Sequence, residues 1–291
     1  MKYCCMLREN LIKKLTDSGI ERNESVIEAD LLIEHVTGFK KKDFLLNFDI
    51  DVSPDKISVL NELVYRRTHH KIPVQYILNK AYFFGEEFFV DENVLIPRPE
   101  TELLVKEVLL LVEALAGQGV KDISIIDVGT GSGCIAVMLA RFIAVKVKIY
   151  ASDISLKALE VAQKNAKSLE MADKITFFNS DMLDSVDEKF HIIVSNPPYI
   201  PKSDADGMQP EVVRHEPHLA LFTDDVDGLC FYKKLIEQSK NHLHTGGFLA
   251  FEAGVNQAGK ICQGLEGAGF TDICVKKDFS GIERIITGRK E

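Results

Sequence analysis

Residues 123–133 read Ile123-Ser124-Ile125-Ile126-Asp127-Val128-Gly129-Thr130-Gly131-Ser132-Gly133, and this stretch decides the fold. A short, mostly apolar run that stops at turn residues reads as a strand buried on both faces. Three alternating glycines make the loop after it, and Ile135–Phe142 has the length and pattern of a helix. Working outward, Val147–Ala151 reads as a second strand and Leu156 through Leu169 as a second helix. Ile175–Phe178, His191–Val194, Gly247–Phe251, Thr271–Val275 and Arg284–Thr287 supply further strands. Alternating strands and helices predict an α/β fold: a doubly wound, mostly parallel, seven-stranded sheet with helices on both faces. The last two strands lie close enough in sequence for a final antiparallel hairpin.

Residues 1–80 read instead as a small helical bundle. Ser25-x-x-Glu28 matches a capping box, and Ile27, Leu31, Leu32 and Val36 follow at helical spacing up to a stop at Gly38. Ser53-Pro54 opens another helix with proline at its first position, carrying Ile57, Leu60, Leu63 and Val64. No catalytic cluster appears here, so the expected job is to recognise a partner. His69-His70 invites a metal reading, but beside Arg66 and Arg67 a solvated helix end accounts for it better, and no metal site is expected. Lys40-Lys41-Lys42 reads as a wet face. Phe83, Phe84, Phe88, Phe89 and Val90 around Gly85 predict a β-hairpin joining two domains. Ile96-Pro97-Arg98-Pro99-Glu100-Thr101-Glu102 then stiffens the chain into a helix bearing Leu104, Val108, Leu111, Val112 and Leu115. The expected division is a bundle at 1–80, a hairpin linker at 81–96 and a larger domain at 97–291.

Composition narrows the function classes. The 291 residues are 46% hydrophobic and 27% charged, enough to bury two cores and too apolar for a disordered chain. Residues 1–80 carry 13 basic and 12 acidic residues, and the rest 22 against 32, so the larger part has a net charge of −10. Binding to nucleic acid needs a basic surface, and no direct nucleic-acid binding is expected. Cys4, Cys5, Cys134, Cys230, Cys262 and Cys274 form no Cys-x-x-Cys pair. A reduced, cytoplasmic protein acting as a monomer is expected. Arg8, Glu9, Lys13 and Lys14 interrupt any apolar leader, and Lys106, Glu107 and Glu113 break the greasy stretch Leu103–Ala116, so no membrane association is expected.

The glycine loop offers a backbone that approaches a ligand closely and a helix N-terminus with free N–H groups. The dinucleotide fingerprint Gly-x-Gly-x-x-Gly would require glycine at position 134, where Cys134 stands. Gly129-x-Gly131-x-Gly133 has the form seen in S-adenosylmethionine-dependent methyltransferases. Gly129, Thr130, Gly131, Ser132 and Gly133 are therefore expected to hold that cofactor. Asp153 follows the second strand, 20 residues beyond Gly133, where a carboxylate can accept from both ribose hydroxyls. The bland alternative is that it caps the next helix. Asp181 and Met182 follow the third strand and reach the same edge, with Met182 as an apolar wall for the adenine or as a core residue.

Ser195-Asn196-Pro197-Pro198-Tyr199-Ile200 directly follows the strand His191–Val194. Prolines fix the backbone and leave carbonyls without N–H groups. A planar NH₂ group is a poor nucleophile because its lone pair is delocalised. The Asn196 side-chain oxygen and a proline carbonyl can each accept one of its N–H bonds and aim the nitrogen at a methyl carbon. Such bonds strengthen as positive charge grows on nitrogen, so they favour the transition state. Asn196, Pro197 and Tyr199 are the expected catalytic residues. Pro198 joins them in binding substrate, Tyr199 is expected to pack on the planar group, and Asn196 also borders the cofactor.

At these residues the chain resembles the HemK/PrmC family, the protein-(glutamine-N5) methyltransferases that modify peptide chain release factors. The most specific match is Asn93-Val94-Leu95-Ile96-Pro97-Arg98-Pro99-Glu100-Thr101-Glu102. Asp127–Gly133 and Ser195–Ile200 match the cofactor and acceptor motifs. Glu216-Pro217-His218-Leu219-Ala220-Leu221, Asp227-Gly228-Leu229 and Pro73-Val74-Gln75-Tyr76-Ile77 extend the likeness over nearly the whole chain. The resemblance implies a class I, Rossmann-like methyltransferase that uses S-adenosylmethionine. By the same resemblance its acceptor is the glutamine of the Gly-Gly-Gln motif in class 1 release factors. The family often has an aromatic residue where Met182 stands. Asn-Pro-Pro-Tyr also occurs in adenine-N6 methyltransferases acting on DNA or RNA, the runner-up reading. The acidic larger domain, the lack of a basic insert and the Ile96–Glu102 signature weigh against it. A non-enzymatic cofactor-binding scaffold would predict a degraded acceptor turn, and this one is complete.

Overall fold

The computed structural model describes residues 4–40, 42–43 and 51–291, so Lys41 of the basic run lies outside the described residues. The chain divides into two units: Met1–Asn79 with Gln209–His215, and Lys80–Met208 with Glu216–Glu291.

Helices α1 (Cys4–Asp17), α2 (Arg22–Thr37), α3 (Pro54–His69) and α4 (Val74–Leu78) build the first unit. Leu11, Leu15, Leu32, Ile33 and Leu60 are fully buried between them. Gly38 ends α2 in the left-handed conformation, and Ser53-Pro54 opens α3, both as the sequence predicts. The capping box does not form. Glu21 caps α2 instead, accepting from the Asn23 and Glu24 amides at 2.8 and 3.3 Å. Ser25 lies inside the helix and donates to the Ile20 carbonyl, and Glu28 turns inward to Arg67, whose charge holds it more strongly than an N-terminal amide could.

In the second unit, β1 (Ala81–Phe83) and β2 (Glu86–Phe88) form the expected hairpin around Phe84-Gly85. It does not sit apart as a linker: Phe83 and Phe88 are buried in the core of this unit. Then follow α5 (Thr101–Gly117), β3 (Ile123–Val128), α6 (Cys134–Phe142), β4 (Val147–Asp153), α7 (Leu156–Ser168), β5 (Ile175–Asn179), β6 (Phe190–Ser195), β7 (Ile200–Pro201), α8 (Pro210–His215), α9 (His218–Leu221), β8 (Phe222–Thr223), α10 (Cys230–His242), β9 (Leu243–Glu252), α11 (Ala258–Gly267), β10 (Phe270–Lys277) and β11 (Glu283–Lys290).

Seven strands form one sheet in the order β10-β11-β9-β6-β3-β4-β5, with the central strands parallel and β11 antiparallel to both β9 and β10. All six residues of β3 are buried, as a central parallel strand requires. Side chains alternate between the faces. Ile123, Ile125, Ile192 and Val194 pack with α5 and α6 on one face. Ile126, Val128, Ile193 and Phe251 pack with α10 and α11 on the other. The strand order reverses between β3 and β6, which opens a crevice beyond their carboxyl ends.

Helix α8 packs with the first unit, although the chain reaches it from the second. Glu211 accepts from Arg67 Nη2 at 3.0 Å, and the His215 ring bonds the His70 carbonyl at 2.7 Å.

Candidate active site

Register places the site. Ser152, Val128, Ser195 and Phe251 pair across β4, β3, β6 and β9. The next residues along the chain, Asp153, Gly129, Asn196 and Glu252, therefore form one rank at the rim of the crevice. The Ser195 hydroxyl donates to the Val128 carbonyl at 2.7 Å and ties the two central strand ends together.

A cavity of about 190 Å³ opens there. Gly129, Thr130, Gly131, Ser132, Asp153, Asp181, Met182, Asn196, Pro197 and Pro198 all line it, while Gly133 and Tyr199 do not. Gly133 serves the loop from behind: it has φ +81°, and a Cβ would stand 3.0 Å from Ala162. Glycine there lets the start of α6 meet α7. The Tyr199 ring, expected to pack on a substrate, lies against Gly254, where a Cβ would come within 2.8 Å of it. Gln257 Nε2 donates to the Tyr199 carbonyl at 2.9 Å, and a Cβ on Gly228 would strike that carbonyl. Tyr199 thus anchors the turn, and Asp227-Gly228-Leu229 buttresses it.

The loop is braced by two carboxylates. Asp127 accepts from the Thr130 hydroxyl at 2.6 Å and the Ala136 amide at 3.3 Å, and its Oδ1 has no hydrogen-bond partner. Burial pushes it up to about 7. Asp153 accepts from the Ser155 amide on Oδ1 and the Gly131 amide on Oδ2, both at 2.9 Å. It is not the cap of α7, because Ser155 accepts from the Ala158 amide. Each Asp153 oxygen keeps a lone pair, and burial raises its pKa. Asp181 pairs with Lys234 at 2.8 Å. Met182 is buried with φ +54°, and it lines the cavity together with Ile154.

Arg98 lines the cavity as well, and the Glu216 carboxylate accepts from its Nη2 at 2.5 Å and from the Ile96 amide at 3.3 Å. This joins the two signature stretches, Ile96–Glu102 and Glu216–Leu221. Behind Asn196 lies a buried network. Asn196 Nδ2 donates to Thr101 Oγ1 at 3.2 Å, and the Thr101 hydroxyl donates to Glu252 Oε2 at 2.6 Å. One of the two Asn196 N–H groups is thereby occupied, and Asn196 itself lines the cavity.

Two family models match the chain: the PrmC N-terminal domain over residues 7–78 and the methyltransferase small domain over residues 106–215. The release factor glutamine methyltransferase of Flavobacterium psychrophilum is 39% identical over 259 residues, 88% of each chain. The chain belongs to the release factor glutamine methyltransferase family. A second release factor glutamine methyltransferase, from Chlorobaculum tepidum, is 37% identical over 90% of this chain and 89% of its own. Among solved structures, the hMettl16 catalytic domain in complex with MAT2A 3′UTR hairpin 6 superposes with a TM-score of 0.56 at 17% identity. That match covers 84% of this chain and 86% of the other. A Pyrococcus furiosus methyltransferase gives 0.53 at 17% identity, over 80% and 98%. At that identity the likeness shows a shared methyltransferase fold.

In this release factor glutamine methyltransferase relative, sequence reading passed over Thr101 and Glu252 as site residues. The available signal was a carboxylate at the end of a strand neighbouring the switch point. The cavity fits S-adenosylmethionine: a glycine cradle, a pre-oriented carboxylate with lone pairs for a diol, and Ile154 and Met182 as apolar walls. Among the described residues, no group of three or more His, Cys, Asp or Glu could hold a metal ion, and no helix is long and apolar enough to cross a membrane. Cys134, Cys230, Cys262 and Cys274 are free thiols.

Asp153→Ala should weaken S-adenosylmethionine binding by about 1–3 kcal/mol, the loss when buried partners are left unsatisfied. Titration calorimetry measures this directly. Unchanged affinity would mean that Asp153 only braces the loop.

Proposed function

We propose that this chain transfers a methyl group from S-adenosylmethionine to the side-chain amide nitrogen of the glutamine in the Gly-Gly-Gln motif of a peptide chain release factor. The observation that carries this reading is the Asn196 amide. Its NH₂ is held by Thr101, and the residue lines the cavity one strand from the glycine loop, where its oxygen is the end free to accept. S-adenosylmethionine supplies an electrophilic methyl group that needs no further activation.

The chain's own residues do the rest. Gly129–Ser132 and Asp153 hold the cofactor beside Asn196. Pro197 and Pro198 present carbonyls and no competing N–H. Asn196 Oδ1 and a proline carbonyl take the two hydrogens of the acceptor amide, and both bonds tighten as the nitrogen becomes cationic. The proton leaves after transfer, so no general base has to act first. Tyr199 and Gln257 keep the turn in place. The helical unit at 1–79 and α8 is the part that recognises the release factor, supported by the match of residues 7–78 to the PrmC N-terminal domain. The enzyme is cytoplasmic and works as a monomer on its protein substrate.

Incubation with labelled S-adenosylmethionine and, in parallel, a class 1 release factor and an RNA tests the reading. Label should enter the release factor at the Gly-Gly-Gln glutamine. Label in the RNA alone would instead support adenine-N6 methylation.

A further inference from the structure

Glu252 stands behind Asn196 with only 2% of its surface exposed. The geometry points to Glu252 as a positioning residue that sets which end of the Asn196 amide faces the cavity, an inference that rests on the proposed role of Asn196. An ionised carboxylate can only accept hydrogen bonds. The Thr101 hydroxyl therefore donates to Glu252, and its oxygen is left to accept from Asn196 Nδ2. The Asn196 amide also favours the charged form of Glu252. Thr101 demands the NH₂ end, and the charge behind it on Glu252 favours the same end, so Oδ1 is the end left for the cavity.

Protonation of Glu252 reverses the donors. The carboxylic acid donates to Thr101, and the Thr101 hydroxyl is free to donate to Asn196 Oδ1. An amide flipped in this way shows N–H groups to a substrate that brings N–H groups of its own, and the acceptor is lost. The ionisation of one buried group thus fixes the polarity of the group that orients the nucleophile.

The surroundings place this switch near neutrality. Burial pushes Glu252 up to about 7, opposed by the Thr101 hydroxyl, the Arg284 charge on β11 and the Asn196 amide, and helped by Glu100 ahead of α5. Cys134 on α6, Tyr199 and Tyr232 on α10 also face it, and burial raises each of them far above neutral pH.

The test is the single-turnover rate of release-factor methylation against pH, with factor and S-adenosylmethionine saturating. The wild-type rate should fall on the acid side, approaching about tenfold per pH unit. Glu252→Gln should be about tenfold slower above the inflection, the worth of one ordinary hydrogen bond. It should bind the factor normally and lose the inflection. Thr101→Ser, which keeps the hydroxyl, should retain the inflection that Thr101→Val loses. A flat wild-type profile overturns the inference with no variant needed. An inflection that persists in Glu252→Gln also overturns it and assigns the titration to Asp127, likewise pushed to about 7. An Asn196→Ala enzyme at full rate would sink the Asn196 reading itself. An inactive Asn196→Ala beside an unaltered Glu252→Gln would sink only the role of Glu252.

Discussion

Replacing Asn196 with alanine should slow methyl transfer by about 10²–10³, the range for losing one preorganised hydrogen bond that strengthens in the transition state. Asn196 lines the cavity and its nitrogen is bound to Thr101, so its oxygen is the end available to a substrate amide. Alanine removes the acceptor and leaves Thr101 and Glu252 paired with each other. Release-factor affinity should change little, since a protein interface draws its energy from anchors elsewhere. Asn196→Asp keeps an acceptor oxygen but places a second carboxylate beside buried Glu252. Like charges in one site raise each other's pKa, so this variant should be partly active at best and should favour the protonated pair. Single-turnover rates with cofactor and factor saturating separate chemistry from binding. A near-wild-type rate for the alanine variant would show that the proline carbonyl alone orients the amide.

Replacing Arg67 with methionine should destabilise the helical unit by about 3–5 kcal/mol near neutral pH, the cost of stranding a buried partner charge. Arg67 bonds Glu28 through Nε at 2.9–3.0 Å and Glu211 through Nη2 at 3.0 Å, with side-chain exposures of 2% for Arg67 and 3% for Glu28. Its Nη1 has no partner, so the arrangement already carries one unsatisfied donor. Burial raises the Glu28 pKa in the folded chain, against the pull of Arg67, and without Arg67 it must rise further. A carboxyl whose folded pKa lies above its unfolded value loses stability as pH rises between the two. The variant's deficit should therefore be smallest near the ordinary carboxylate pKa and grow toward neutral pH. Urea melts of the full chain at several pH values measure it. A deficit independent of pH would mean that lost packing, and not the stranded charge, is the cause.

The sheet was legible because its signals are local. Four of the six residues before Gly129 are apolar and the run stops at turn residues, and the observed strand ends where that run meets the loop at Val128. The acceptor turn was legible for the same reason, since Pro197-Pro198 fixes its own backbone. Three features were not. The surroundings of Tyr199 were not local: its carbonyl is held by Gln257 and approached by Gly228, and its ring lies against Gly254, between 29 and 58 residues away. Ser25-x-x-Glu28 obeyed a local capping rule that a buried charge on another helix overrode. Glu252 sat in an apolar strand as one more residue, and only strand register brings it level with Asn196.

Helix α8 has a consequence for inheritance. The helical unit is made of two stretches of chain, 1–79 and 209–215, and Glu211 completes the buried ion cluster begun by Glu28 and Arg67. No single crossover can carry that unit from one relative to another. A hybrid joined at Asn79 would take its Arg67 from one parent and its Glu211 from the other. Such a join keeps the Arg67–Glu211 pair only where both parents carry those charges. The helical part of this protein and the segment just past its acceptor turn must therefore change together through a lineage, as a lock whose two halves are written in different places.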